Sequence, residues 1–89
     1  MNLNLSRRSH QFLNDLQPKY YKQVASKLLH LAKDPRPNDC RHLCGHPGYF
    51  RVTAGEYRII YFTTNDVVHI SVINTRNDDA VYKELERVT

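Results

Sequence analysis

The sequence predicts an α+β domain with the element order β-α-α-β-β-β-α, in which an N-terminal helical hairpin packs on a small antiparallel β-sheet and a C-terminal helix follows. Apolar residues recur at helical spacing up to residue 33. After residue 48 the period changes to two, and two short turn sequences divide that part into three strands. Because 89 residues bury one modest core, we expect a single domain spanning 1–89.

The first third of the chain predicts a short strand and two helices. "LNL" at residues 3–5 alternates like an edge strand, and Ser6 can cap a helix over residues 7–16. Pro18 breaks that pattern, because the residue before a proline is pushed out of the helical region. Pro18 also suits the first turn of a second helix, which reaches about Lys33 and ends at "DPRP".

Three strands and a last helix are predicted after residue 48. "YFRVTA", "YRIIYFT" and "VVHISVI" have strand composition, and the loops between them are the dipeptides at 55–56 and 65–66. The first loop begins with glycine, which readily adopts a positive φ. Asn77 or Asp78 can cap a C-terminal helix. The apolar stripe of that helix is Val81, Leu85 and Val88.

These two-residue loops fix the register of the strands, and the register fixes the faces of the sheet. Thr53 is then opposite Arg58, and Phe62 is opposite His69. In the second hairpin, Ile60 is also opposite Ser71, and Arg58 is opposite Ile73. The face predicted to pack on the helices carries Phe50, Val52, Ala54, Tyr57, Ile59, Tyr61, Val68, Ile70 and Val72. The other face carries Arg51, Thr53, Arg58, Ile60, Phe62, His69, Ser71 and Ile73.

Basic side chains are predicted to cluster at one end of the sheet face that turns away from the helices. Arg51 and Arg58 stand on that face, and Arg76 lies three residues beyond Ile73, at the same end. Tyr82 is about 100° around the last helix from its apolar stripe. Guanidinium groups bind phosphate bidentately and a tyrosine can stack on a base, so the cluster predicts a site for a nucleic-acid phosphate.

The charge of the chain fits such a site. Lys and Arg outnumber Asp and Glu by 13 to 9. A small basic domain can bind nucleic acid or an acidic partner protein, although a surplus that only aids solubility remains an alternative. No apolar run approaches the ~20 residues that span a bilayer, and the first residues lack the apolar region of a secretory signal. We therefore expect a cytoplasmic protein with reduced cysteines and no membrane partner.

Cys40, His42, Cys44 and His46 are potential zinc ligands at alternate positions. In an extended chain the outer two lie about 20 Å apart, which a tetrahedral site with bonds of ~2.0–2.3 Å cannot gather without a tight loop. Structural zinc sites use two well-separated pairs of ligands. We predict no metal site here, and we expect Leu43 to anchor the segment in the core.

The segments "GHPGYFRVTAGEYRIIYF", "VVHISVI" and "TRNDDAVYK" resemble the RelE/ParE superfamily of toxins from bacterial type II toxin–antitoxin modules. The N-terminal helical hairpin fits this superfamily as well, so the resemblance covers essentially the whole chain. Within it, the ending from Arg76 to Tyr82 looks more like the RelE ribonuclease branch than the gyrase-poisoning ParE branch.

The resemblance implies a RelE-like mRNA interferase. Such an endoribonuclease acts on mRNA in the ribosomal A site, uses the 2′-hydroxyl as nucleophile, leaves a 2′,3′-cyclic phosphate and thereby inhibits translation. It needs no metal or other cofactor, and a cognate antitoxin protein holds it inactive. Two alternatives stay open: a ParE-like inhibitor of DNA gyrase that cuts no nucleic acid, and a catalytically weakened toxin that only binds its antitoxin.

The resemblance also implies roles for individual residues. Arg58 matches the phosphate-binding arginine, Arg76 the arginine that aids departure of the leaving group, and Tyr82 the tyrosine that stacks on the nucleotide. Arg51 matches the first of two basic positions on the preceding strand. Thr53 occupies the second of these RNA-binding positions, where it brings no charge and cannot act as a base. The sequence therefore leaves the general base unassigned.

Overall fold

The computed structural model describes residues 1–75, which form two helices on one face of a five-stranded sheet. The α+β class is confirmed. The strand order is β1-β5-β4-β3-β2. The elements are β1 (Asn2–Leu5), α1 (Arg7–Asn14), α2 (Pro18–Lys33), β2 (Arg41–His42), β3 (Phe50–Ala54), β4 (Tyr57–Thr64) and β5 (Val67–Thr75). The predicted C-terminal helix lies outside the described residues.

The sheet is mixed, which corrects the antiparallel sheet that the sequence predicts. The edge strand β1 is present as expected, but it pairs with β5 in parallel, from Asn2 opposite Val67 to Leu5 opposite Ile70. Hairpin loops determine the direction of consecutive strands only. The direction of β1 depends on how the two helices return the chain to the sheet, which no turn signal in the sequence records.

The predicted helices are present, and each begins where its capping signal lies. The Ser6 hydroxyl accepts a hydrogen bond from the Ser9 N–H (3.1 Å) at the start of α1. Pro18 is the first residue of α2, which ends at Lys33 as expected. Helix α1 ends at Asn14, two residues earlier than predicted. Neither helix in the described part of the chain is long and apolar enough to cross a membrane.

Both hairpin loops lie where the sequence predicts them. Gly55 has a φ of 61° and Asn65 a φ of 49°, so each loop has a residue in the left-handed region. Along the first hairpin the predicted register is confirmed, with Thr53 opposite Arg58. The main core fills the space between the helices and the sheet. Its buried residues are Leu13, Val24, Leu28, Leu31, Phe50, Val52, Ala54, Tyr57, Ile59, Tyr61, Val68, Ile70 and Ile73.

A β-bulge in β5 overturns the predicted register for the rest of the second hairpin. Phe62 is opposite His69 as predicted, but Ile60 is opposite Val72 rather than Ser71. Ser71 is the extra residue, and its carbonyl accepts a hydrogen bond from the Ser6 hydroxyl (2.8 Å). Arg58 is consequently opposite Asn74 rather than Ile73.

The bulge exchanges two core residues between the faces of the sheet. Val72 moves to the face without helices, where it packs with Leu43 and Ile60. Ile73 moves to the core under the helices. The sequence "SVI" offers an apolar residue to either face, so its periodicity could not show this shift.

Candidate nucleic-acid interface

Arg51 and Arg58 lie on the same face of the sheet, the one without helices. Arg51 is opposite Ile60, and Arg58 is opposite Thr53 on the neighbouring strand. Residues that are directly opposite each other point to one side of a sheet, so the two arginines are diagonal neighbours with Cα atoms about 7–8 Å apart. Their side chains can therefore reach the same anionic group.

Arg58 is held in the middle of the sheet, between Thr53 of β3 and Asn74 of β5. Its side chain is half-buried, and its Nε is buried without a hydrogen-bond partner among residues 1–75. No carboxylate among residues 1–75 forms a salt bridge with it. Native proteins rarely leave a buried N–H unsatisfied, and functional sites are where such a cost is tolerated.

Two of the predicted site residues, Arg76 and Tyr82, lie outside the described residues. The last described residue, Thr75, is opposite Tyr57 and so ends β5 beside Arg58. The expected convergence of Arg76 and Tyr82 with the two described arginines remains a prediction.

A small apolar cluster closes the middle of this face. It consists of Leu43, Ile60 and Val72, with Tyr49 packed against it. Leu43 is buried, as the sequence led us to expect of a core anchor, but it belongs to this second cluster and not to the core beneath the helices. The loop after β2 thus covers the centre of the face beside the end that carries the arginines.

Aromatic rings occupy the other end of the same face. Phe62 is stacked on His69, with ring centroids 4.6 Å apart, and Tyr49 packs against Phe62 at 5.2 Å. The two ring nitrogens of His69 lie within hydrogen-bonding distance of Asn4 Nδ2 (3.1 Å) and Thr64 Oγ1 (2.6 Å). The ring of His69 therefore contacts its own neighbours and not Arg58, as expected from its predicted place opposite Phe62.

The short strand β2, which no pattern in the sequence predicted, adds a basic residue to the arginine end. Arg41 is directly opposite Arg51, so it lies on the same face. A two-residue strand leaves almost no periodic signal. The alternation of Cys40, His42 and Cys44 was interpreted as a possible set of metal ligands. A period of two is also typical of extended backbone, and it was the one signal in the sequence that could have indicated β2.

The ion pair of Lys27 and Asp39 lies beside the backbone of Thr53. The Asp39 carboxylate accepts hydrogen bonds from Lys27 Nζ (2.9 and 3.0 Å), and the backbone N–H of Thr53 also favours its charged form. Partial burial acts to raise the pKa of Asp39, but Lys27 and the Thr53 N–H outweigh it and lower the pKa below its ordinary value. The edge of β3 therefore carries a neutralised pair beside the uncharged Thr53.

The four alternating Cys and His residues make separate contacts. Cys40 Sγ lies 3.1 Å from the Tyr61 hydroxyl, whose pKa is raised by burial and by this contact. His42 packs on Phe50, whereas His46 packs on Tyr49. Both cysteines are free, and residues 1–75 contain no group of three or more side chains that could hold a metal.

Comparisons with known proteins give a match in structure but none in sequence. No family model matches the chain, and no curated protein matches it. A double arginine-to-alanine mutant of the E. coli toxin RelE in the free state superposes with a TM-score of 0.78 at 21% identity, covering 98% of this chain and 95% of that one. The isolated E. coli RelE toxin gives 0.73 at 22% identity, covering 99% and 98%.

The fold also matches toxins solved with their antitoxins. The archaeal RelE–RelB complex from Pyrococcus horikoshii gives a TM-score of 0.74 at 21% identity, covering 86% of this chain and 96% of that one. The RelBE2 toxin–antitoxin complex from Mycobacterium tuberculosis gives 0.73 at 20% identity, covering 84% and 96%. These likenesses establish the fold that the chain adopts, which is the RelE-like fold expected from the sequence.

Proposed function

We propose, from the RelE-like fold of the chain, that it is the toxin of a type II toxin–antitoxin pair and that it acts as an endoribonuclease on mRNA in the ribosomal A site. The observation that carries the proposal is the pair Arg51 and Arg58, two fixed cations held as diagonal neighbours on the helix-free face of this fold. Two guanidinium groups so placed suit a single phosphate.

The proposed reaction is an internal transfer of the phosphoryl group. The 2′-oxygen attacks the adjacent phosphorus while the bond from phosphorus to the 5′-oxygen breaks, which leaves a 2′,3′-cyclic phosphate and a 5′-hydroxyl. The 2′-hydroxyl loses its proton and the leaving 5′-oxygen gains one. Arg58 binds the non-bridging oxygens and Arg51 adds a second cation, so that both stabilise the negative charge that develops on phosphorus. No resident metal or other cofactor is part of this mechanism.

Two further residues complete the proposed site. Arg76 stabilises the leaving 5′-oxygen, and Tyr82 stacks on a base beside the scissile bond and orients it. Both roles rest on the resemblance of the sequence to RelE toxins. Sequence adjacency supports the role of Arg76, because it directly follows Thr75 at the end of β5 beside Arg58.

Thr53 makes this site less cationic than the RelE pattern. Its side chain is exposed and directly opposite Arg58, so its hydroxyl can contact RNA. Removing one preorganised donor from a transition state costs about 2–4 kcal/mol by analogy with oxyanion holes. We therefore expect a slow enzyme that depends on the ribosome to orient the RNA, since positioning can supply roughly 7–11 kcal/mol.

The proposed protein partner is a cognate antitoxin. Complexes of a RelE with a RelB are among the structural neighbours of this fold. The helix-free face carries Arg41, Arg51 and Arg58, which together favour an acidic partner. We propose that an acidic antitoxin segment folds on this face and so blocks access of RNA.

Mapping of mRNA 5′ ends after induction of the protein in bacteria tests the proposed activity. The parent should create new 5′ ends within coding regions, and Arg58→Ala should abolish them because it removes the phosphate-binding cation. Arg7→Ala, which removes an exposed cation from α1, is the matched control and should cut like the parent. Intact transcripts together with inhibited supercoiling would instead identify a gyrase inhibitor.

Thr53 motivates a second candidate function, a toxin that has lost its activity and only binds the antitoxin. Such a protein would form the complex but leave growth unaffected when it is expressed alone. Growth arrest in the absence of the partner would eliminate this candidate.

A further inference from the structure

Arg41 extends the line of basic residues from the centre of the sheet to its edge. Arg58 lies on β4, Arg51 on β3 and Arg41 on β2, all on the helix-free face. Each step crosses one strand spacing of about 4.8 Å. The three side chains therefore form a continuous basic line that ends where the sheet meets the loop before β2.

The guanidinium group of Arg41 is anchored in a way that leaves its binding edge available. Its Nη1 donates to the carbonyls of Asn38 (3.0 Å) and Cys40 (2.9 Å). Its Nε and Nη2 make no hydrogen bond with residues 1–75, and the residue is exposed. These two nitrogens form the edge of a guanidinium that binds an oxyanion through two parallel hydrogen bonds.

Arg36 lies in the same cavity as Arg41. The cavity is open, has a volume of about 480 Å³ and is lined by Arg36, Pro37, Cys40, Arg41, His42 and Phe50. The Arg36 guanidinium stacks 3.7 Å from the centre of the Phe50 ring and donates to the Pro35 carbonyl (3.1 Å). These contacts fix a second cation at the wall of the cavity.

Neither arginine of the cavity is neutralised by a carboxylate within residues 1–75. Of the two nearest acidic residues in sequence, Asp39 pairs with Lys27, and Asp34 accepts a hydrogen bond from the backbone N–H of Arg36 (3.2 Å) but forms no salt bridge with its guanidinium group. Two immobilised guanidinium groups without counter-ions create a positive potential that favours an anion. Because the cavity is open, it can admit an anion that is part of a longer chain.

We propose that Arg36 and Arg41 form a second phosphate-binding site, which holds the backbone of single-stranded RNA beside the phosphate bound by Arg51 and Arg58. The proposal rests on the proposed ribonuclease function, because the basic line leads from Arg58 to Arg41 at the edge of the sheet, where Arg36 lines the same cavity. Phosphodiester groups are the ligand class. The second site adds binding affinity away from the scissile bond, and so offsets the one cation that Thr53 leaves out of the first site.

The test measures how the affinity for RNA depends on salt. The probe is a short single-stranded RNA that is 2′-O-methylated, so it cannot be cut, and its binding is followed by fluorescence anisotropy between about 50 and 200 mM salt. Each phosphate contact to a single strand contributes about 0.7 to the slope of log K against log salt. Arg41→Gln and Arg36→Gln should each lower the slope by about that amount, and Arg7→Gln is the matched control.

Arg41→Lys separates charge from geometry. It should keep the slope of the parent but bind more weakly, because lysine lacks the bidentate edge. Thermal melts of Arg36→Gln show whether losing the contact with Phe50 lowers the stability of the fold. If Arg36→Gln is unstable, the test rests on Arg41→Gln alone. Slopes for Arg41→Gln equal to those of Arg7→Gln would overturn the second site while the parent still binds and cuts RNA. A parent that shows no salt-dependent binding would overturn the second site and count against the ribonuclease function as well.

Discussion

Replacing Thr53 by lysine should make the protein a faster ribonuclease. Thr53 is exposed and directly opposite Arg58, so a lysine there places its ammonium group beside the two arginines of the proposed site. One added cation that acts on the transition state is worth about 2–4 kcal/mol, or roughly 30- to 1,000-fold in rate. The backbone N–H of Thr53, which favours the charged form of Asp39, is unchanged in the variant.

The same substitution should cost little stability. Cβ atoms of directly opposite residues are about 4.5–5.5 Å apart, and like charges in that arrangement destabilise a sheet by roughly 0.2–1 kcal/mol. Because position 53 is exposed, solvent screens most of the repulsion between the introduced ammonium group and Arg58. The expected gain in rate therefore exceeds the loss of folding free energy.

The assay is single-turnover cleavage of mRNA on ribosomes with a defined codon in the A site. Thr53→Gln is the matched control, since it adds a long polar side chain without a charge. We expect Thr53→Lys to cut faster than the parent and Thr53→Gln to cut at about the parental rate. Equal rates for the lysine and glutamine variants would refute the electrostatic reasoning, because then the charge at position 53 does not act on the transition state.

Two predictions concern stability. Ser6→Ala removes both the cap of α1 and the hydrogen bond to the Ser71 carbonyl. It should therefore lower the free energy of unfolding, measured in urea, by about 1–2 kcal/mol relative to the control Ser26→Ala on the exposed face of α2. A smaller loss would contradict the role of Ser6 at the bulge. Because folding lowers the pKa of Asp39, its ion pair should stabilise the protein at pH values above the ordinary pKa of an aspartate, and this effect should be lost as the pH falls through the lowered pKa. The free energy of unfolding of Asp39→Asn should therefore depend slightly less on pH in the acid range than that of the parent. An identical pH dependence in both proteins would contradict this prediction.

Local signals in the sequence predicted most of the fold. Ser6, Pro18 and the loops at 55–56 and 65–66 each act on their immediate neighbours, and these neighbours alone decide helix starts and hairpins. The first hairpin therefore placed Arg51 and Arg58 on one face correctly.

Features that depend on distant contacts could not be predicted. The parallel pairing of β1, the bulge at Ser71 and the short strand β2 each involve residues far apart in sequence. The bulge is stabilised by Ser6, 65 positions away, and it lies in a segment whose apolar residues suit either face. The sequence did not predict Arg41 as a site residue, because only the pairing of β2 with β3 brings it opposite Arg51.

Chemical analysis of the RNA ends made by the purified protein tests the central claim most directly. Ribosome-bound mRNA is incubated with the parent or with Arg58→Ala, and the products are examined for 2′,3′-cyclic phosphate and 5′-hydroxyl ends. We expect both ends with the parent and a loss of about 100- to 1,000-fold in rate with Arg58→Ala. Uncut message with the parent, or equal cutting by Arg58→Ala, would contradict the proposed ribonuclease site.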